Sequence, residues 1–463
     1  MLIQLIKSEI KKIFKIKMNI ILFIIAVFGT SLFFGLKYFE YGNGSEPIEN
    51  QQGESMSGLS LLHYIDDIRH QYAGEWSLEK EKEYIQDYQE VYDQYNDKQI
   101  DPLYMRKNYG ENYQQLIDLY EDHQLTFQKY SDYLKKEGLA DGIEDYDGDS
   151  QDLWDLYIYY KSTPIIEGIV RAYASGYGTD DFSSEITKHV TQLLLDKKVE
   201  SSNEDEQYIT DIDEEQKSQM KTYLSKQVES LPNTFDSILP NEMVQRGMDN
   251  CLWIASICIM IILANTFGIE KQYNMEQLIY PSQAGAFKIT IAKIISGTLI
   301  SFITMLATIL MCLLVSYILL PVHTWNIAYL SLGDRGFNIY NVFTFQNILS
   351  YIFILSLMSS LVIAMLVLLL SYITKNRFAV IIAMFLYFGS IMFLNIEGFY
   401  KMLHPYTMTH SYDYFENIWA YTLFQGDIMP YRMIVPIIWV IVICVIFIMM
   451  ILRSKTKSAR SLS

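Results

Sequence analysis

Six stretches of the chain run for roughly the length of a membrane helix without a formal charge: Met18–Leu36, Asn250–Ile269, Ile294–Gly333, Gly336–Thr374, Phe378–Ile396 and Met433–Leu452. A helix needs about 20 apolar residues to cross the hydrocarbon core, so each is a predicted span. The third and fourth runs are long enough to hold flanking surface as well. The third is expected to cross from near Phe287 to Leu320, with Lys288 and Lys293 reaching back to the interface. The fourth is expected to cross from near Gln346 to Tyr372. Whether residues 321–345 and 397–432 re-enter the bilayer stays open at this point.

Between the first two runs the pattern changes. Apolar positions recur with a period near 3.6, the signature of packed helices. Tyr84, Tyr88, Tyr92 and Tyr95 form one stripe. Tyr113, Leu116, Ile117 and Tyr120 form a second, continued by Phe127, Tyr130 and Leu134. Ile186, Val190, Leu193 and Leu194 form a third, and Met220, Tyr223, Leu224, Val228 and Leu231 a fourth. Asp101–Pro102 makes a good helix start, and Gly110 and Gly138 are expected helix stops. The fold class is therefore an all-α polytopic membrane protein, with six transmembrane helices and a mainly helical extracellular domain between the first and second. The predicted parts are a cytoplasmic amphipathic helix (1–17), a first span (18–36), the inserted domain (37–249), a five-helix region (250–452) with a cytoplasmic loop at 270–286, and a basic tail (453–463).

Charge sharpens this division. The chain holds 36 basic and 53 acidic residues, net −17, yet 51% of it is apolar. Glu40–Asp249 carries 45 of the acids and 18 of the bases, a local charge of −27; the remainder is +10. One uniform globular enzyme is excluded. So is nucleic-acid binding, which needs a basic face. Six spans put both termini on one side. That side collects 14 bases (Lys7, Lys11, Lys12, Lys15 and Lys17; Lys271, Lys288 and Lys293; Lys375 and Arg377; Arg453, Lys455, Lys457 and Arg460) against Glu9, Glu270 and Glu276. The excess of basic residues marks it as cytoplasmic. Leu2, Leu5, Ile6, Glu9, Ile10, Ile13 and Phe14 share helical spacing ahead of the first span. They predict an amphipathic helix on membrane lipid, with Lys7, Lys11, Lys12 and Lys15 toward the surface.

Candidate chemistry is sparse. There is no phosphate-cradling G-x-x-x-x-G-K-[ST] loop, no H-E-x-x-H, no C-x-x-C and no G-x-S-x-G, and no catalytic residue or metal site is expected. Asp141–Asp152 (DGIEDYDGDSQD) fails as a calcium loop, because counting from Asp145 puts Ser150 and Leu156 where glycine and glutamate are needed. The acids of Ser201–Glu215 read as a solvated stretch. His63 and His70 are seven apart and can share a helix face. All four cysteines (Cys251, Cys258, Cys312, Cys444) lie in predicted spans, so no disulfide is expected in the inserted domain. That domain holds 22 of the 36 tyrosines, and a helical core accounts for them more simply than a ligand surface does.

The informative stretch follows the second span. It reads Thr266-Phe267-Gly268-Ile269-Glu270-Lys271; Asn274 then caps a short helix, Met275–Tyr280, with Gln277 in the capping-box position. Pro281 stops it and Ser282 starts the climb to Lys288 and Lys293. The layout and Phe267-x-x-Glu270, Leu278-Ile279-Tyr280-Pro281-Ser282 and Lys293 resemble the type-2 exporter permeases of ATP-binding-cassette transporters. It departs at Lys271, Tyr273 and Asn274, where many members carry arginine and a glycine–threonine pair. The resemblance covers the membrane part and implies a bacterial cell-membrane permease without its own nucleotide site. A cytosolic ABC ATPase subunit would carry ATP and Mg, and a second permease subunit, identical or paralogous, would complete the assembly. Glu270, Lys271, Glu276, Leu278, Tyr280, Pro281 and Ser282 would take up the ATPase stroke, and Leu2–Lys17 would brace the bundle. Asn265, Thr298, Ser301 and Thr308 either line a translocation path or hold helices together. The substrate expectation is a peptide, lipid or hydrophobic antimicrobial, with a cationic peptide suiting the acidic domain. The alternative is a membrane sensor or immunity protein that binds such a peptide without moving it.

Overall fold

The computed structural model describes residues 2–43, 48–96, 102–139, 154, 158, 164–173, 214–272, 285–328, 343–394, 399–410, 413–416, 421–424 and 427–460. The chain divides into two compact units, Met1–Tyr38 with Asp181–Ser463, and Phe39–Asp180.

In the first unit five helices are long and apolar enough to cross a membrane: Lys17–Phe39, Leu239–Leu263, Ala286–Leu319, Phe345–Thr374 and Tyr431–Thr456. The expected span Phe378–Ile396 falls on a shorter apolar helix of 17 residues, Arg377–Phe393, capped by Asn376. At 1.5 Å per residue it is about 26 Å long, at the lower end of the range for a span. The chain then turns back through two short helices, Phe399–Leu403 and Pro405–Thr409. Ser359, near the midpoint of Phe345–Thr374, donates to Pro405 O at 2.7 Å. Trp439 donates to Leu403 O at 2.9 Å, and His404 meets Tyr387 O at 2.9 Å. This segment thus folds in among the spans, where Met402, Thr407, Met408 and Thr409 are fully buried. Irregular backbone at that depth is tolerated because protein groups satisfy it.

The second span begins at Leu239, earlier than the charge-free run, with Pro240 in its first turn. Glu242 and Arg246 lie one turn apart and pair at 3.7 Å. Both interrupt the apolar pattern, yet this end of the helix is packed in protein. Asn241 donates to Thr324 O at 3.0 Å, and Thr324 bonds Asp236. The first span contains a π-turn, Ile25–Gly29. The widened turn leaves Ala26 O open to two hydroxyls, those of Thr30 and Thr308. Arg432 is buried. Its guanidinium lies over Phe343, Phe415 and Tyr351 at 4.7, 4.8 and 5.3 Å, and donates to Tyr223 Oη at 2.7 Å. That bond ties the helix Glu214–Glu229 to the start of the last span. The helix, expected in the inserted domain, groups with the first unit.

The second unit packs helices Gly58–His70, Leu78–Asn96, Pro102–Tyr109, Gln114–Glu121, Phe127–Glu137 and Pro164–Tyr173, with a small hairpin, Ile48–Glu49 against Ser55–Met56. The tyrosine stripe falls on Leu78–Asn96. Gly110 and Gly138 stop their helices at φ +82° and +76°, backbone that other residues rarely adopt. The stripe at Ile186–Leu194, the run Asp141–Asp152 and most of Ser201–Glu215 lie outside the described residues.

Candidate functional site

At the lysine-rich end of the membrane unit four charged side chains from three elements meet below the surface. The N-terminal helix Leu2–Lys15 supplies Glu9 and Lys12, which share a face at i, i+3. The short helix Ile269–Gln272 supplies Glu270, and the helix Gly285–Leu319 supplies Lys293. Lys293 is 1% exposed. Its Nζ pairs with Glu9 Oε2 at 3.1 Å and Glu270 Oε1 at 3.0 Å, and donates to Thr266 O at 2.6 Å. Lys12 pairs with Glu9 at 2.5 Å and Glu270 at 3.5 Å. Two acids and two bases balance, as burial requires. Burial works against the Lys12 ammonium, but Glu9 and Glu270 outweigh it and raise its pKa.

Phe267 anchors this network to the other spans. The Lys293 ammonium sits 5.3 Å above its ring. Its N–H donates to Ser371 Oγ at 3.1 Å, and its ring meets Tyr372 edge-on at 5.2 Å. Around it Ile294, Leu368, Tyr372, Ile446 and Met450 form one buried cluster. The helix ends at Leu263 because residues 264–268 form a turn in which Asn265 O accepts from both Gly268 and Ile269, each at 3.1 Å. Gly268 leaves room there for the Asn265 side chain. A Cβ would stand 2.4 Å from Asn265 Oδ1 and 3.3 Å from Lys375 O.

Of the residues singled out from the sequence, Glu270 enters the network and Lys271 is exposed. Glu276, Leu278, Tyr280, Pro281 and Ser282 lie outside the described residues. Lys7, Lys11 and Lys15 are exposed, whereas Lys12 turns inward. Asn265 is buried in the turn. Thr298 is half-buried and bonds Ile294 O of its own helix at 2.9 Å. Ser301 and Thr308 are fully buried and cross between helices, to Ser360 O at 2.7 Å and Ala26 O at 2.8 Å. Sequence reasoning missed Glu9, Thr266 and Ser371. Glu9 did carry a signal, since it is a carboxylate on an otherwise apolar stripe and such a group needs a buried base. Among the described residues no three His, Cys, Asp or Glu side chains gather as a metal site.

This junction is built on the residues that resembled exporter permeases, and the family comparison agrees. Residues 16–453 match the family model described as ABC-2 family transporter protein, and the chain belongs to that family. It is a permease component of an ABC transporter rather than a nucleotide-binding domain, and the family implies partnership with an ABC ATPase. No curated protein and no solved structure matches the chain.

Proposed function

We propose that the chain is the permease subunit of an exporter, with both termini cytoplasmic, driven by a separate cytosolic ATPase that binds ATP and Mg and pressing on the loop after Glu270. The observation that carries this reading is the Lys293 network. It joins the N-terminal helix, the end of the second span and the start of the third through charges that cannot separate cheaply in a dry site. A push on residues 271–285 would therefore move these elements together rather than bend one loop. A second permease subunit completes the translocation path, and an amphiphilic or cationic peptide is the substrate class that suits the acidic inserted segment.

The test is to purify the tagged protein in mild detergent, identify the ATPase that accompanies it and reconstitute the two. Leu278→Ala with Tyr280→Ala should leave the permease folded and lower coupled transport at least about tenfold, a loss of the size of one or two kcal/mol of coupling. Absence of any accompanying ATPase, with no stimulated hydrolysis on reconstitution, would leave the sensor or immunity reading in its place.

A further inference from the structure

The unit Phe39–Asp180 holds an open cavity of about 490 Å³, within the ~300–1,000 Å³ typical of small-molecule sites. Tyr64, Tyr72 and Tyr173 line it. Tyr72 and Tyr173 are buried, their ring centroids 6.4 Å apart. Tyr84 packs behind both at 4.8 and 5.5 Å, and its hydroxyl donates to Tyr173 O at 2.6 Å, which fixes the rings. The rim is acidic. Asp67 comes from helix Gly58–His70, and Asp87 and Glu90 from helix Leu78–Asn96; among the described residues no lysine, arginine or histidine lines the cavity.

Asp87 accepts from the Tyr72 phenol at 2.6 Å, and Glu90 from Gln86 at 2.8 Å. Among the described residues none of the three carboxylates pairs with a basic side chain. Burial and the Asp87 carboxylate push the Tyr72 phenol up. It therefore stays a neutral donor, and the formal charge of the described lining is wholly negative.

We propose that this cavity binds an organic cation, an ammonium or guanidinium head on an apolar stem. The rim carboxylates draw a cation from solution. The tyrosine faces then attract it through their ring quadrupoles, and Ile68 and Val91 offer apolar wall to the stem. An inorganic cation suits the site poorly, because among the described residues no three ligating His, Cys, Asp or Glu side chains converge. The site concerns binding alone. It stands whether or not the chain transports, since it is read without any ATPase present.

The experiment titrates full-length protein in detergent micelles by calorimetry with n-butylammonium, with trilysine amide, and with n-butanol as the neutral control. At least one cation binds with a Kd near or below ~1 mM, and butanol does not. Binding of the peptide alone assigns the site to peptide side chains, and binding of the amine alone to small amines; both support it. Asp67→Asn with Glu90→Gln, both exposed and close in shape, weakens binding at least about tenfold. Glu79→Gln with Glu83→Gln removes the same charge from the same helix region outside the cavity and leaves binding within about twofold. Three outcomes overturn the proposal: no binding of either cation, equal loss in both double variants, or displacement of the cation by equimolar calcium.

Discussion

Lys293 shows how much one side chain holds in this molecule. It is 1% exposed and bridges Glu9 and Glu270, which come from opposite ends of a long inserted sequence. Removing it leaves two carboxylates to share the one half-exposed ammonium of Lys12, whereas removing one carboxylate leaves the other with both bases. Lys293→Met should therefore destabilise the protein by ~3–5 kcal/mol, the usual cost of breaking a buried pair from one side. Glu9→Gln should cost less. Combining Glu9→Gln, Lys293→Met and Glu270→Gln should restore much of the loss, because the one charge that remains, Lys12, reaches solvent. Thermal unfolding in detergent checks all three variants, and a Lys293→Met protein as stable as the parent would refute the network as a structural junction. The Phe267, Glu270 and Lys293 positions were legible in the sequence as a pattern. Their meeting with Glu9 was not, because spacing along one helix says nothing about which distant base a buried acid finds.

Among the elements, the first and second spans show what close packing demands. A Cβ on Gly247 would lie 2.0 Å from the ring of Phe34, which is itself fully buried. Gly247→Ala should cost ~1–3 kcal/mol by overpacking, and Phe34→Leu in the same chain should return part of it. Unfolding midpoints of the single and double variants measure this coupling. Gly247 lies outside the charge-free run from Asn250, between Arg246 and Asp249, where a soluble segment was expected. The helix extends there because Pro240 starts it, Glu242 and Arg246 pair along it, and protein rather than lipid surrounds it. The helix Arg377–Phe393 is shorter than the apolar run that predicts it, and the chain from Phe399 packs its carbonyls on Ser359 and Trp439. Hydropathy reports whether a segment tolerates an apolar medium. It does not report where the backbone that follows finds its hydrogen bonds.

For the whole molecule, the segregation of charge predicts a sidedness that labelling can measure. In a background with Cys251, Cys258, Cys312 and Cys444 replaced, a cysteine at Ser8 should react with a membrane-impermeant maleimide only after cells are opened. One at Asp93 should react in intact cells. The opposite pattern would invert the topology and, with it, the side on which an ATPase could meet residues 271–285. The division into two units, Phe39–Asp180 against the rest, also sets where function is sought. The ion network belongs to the unit of membrane helices, and the tyrosine-floored cavity to the inserted one.

The sequence by itself determined the membrane class, the helical character of the inserted segment and the loop that resembles exporter permeases, because length, hydropathy and helical period are local properties of the chain. Tertiary structure decided that Glu9 and Lys12 face inward to Lys293, that the stretch after Arg377–Phe393 folds among the spans, and that three carboxylates stand over a tyrosine floor. Each is a matter of which distant groups satisfy a buried charge, a free carbonyl or a packed ring, and only the folded chain brings those groups within reach.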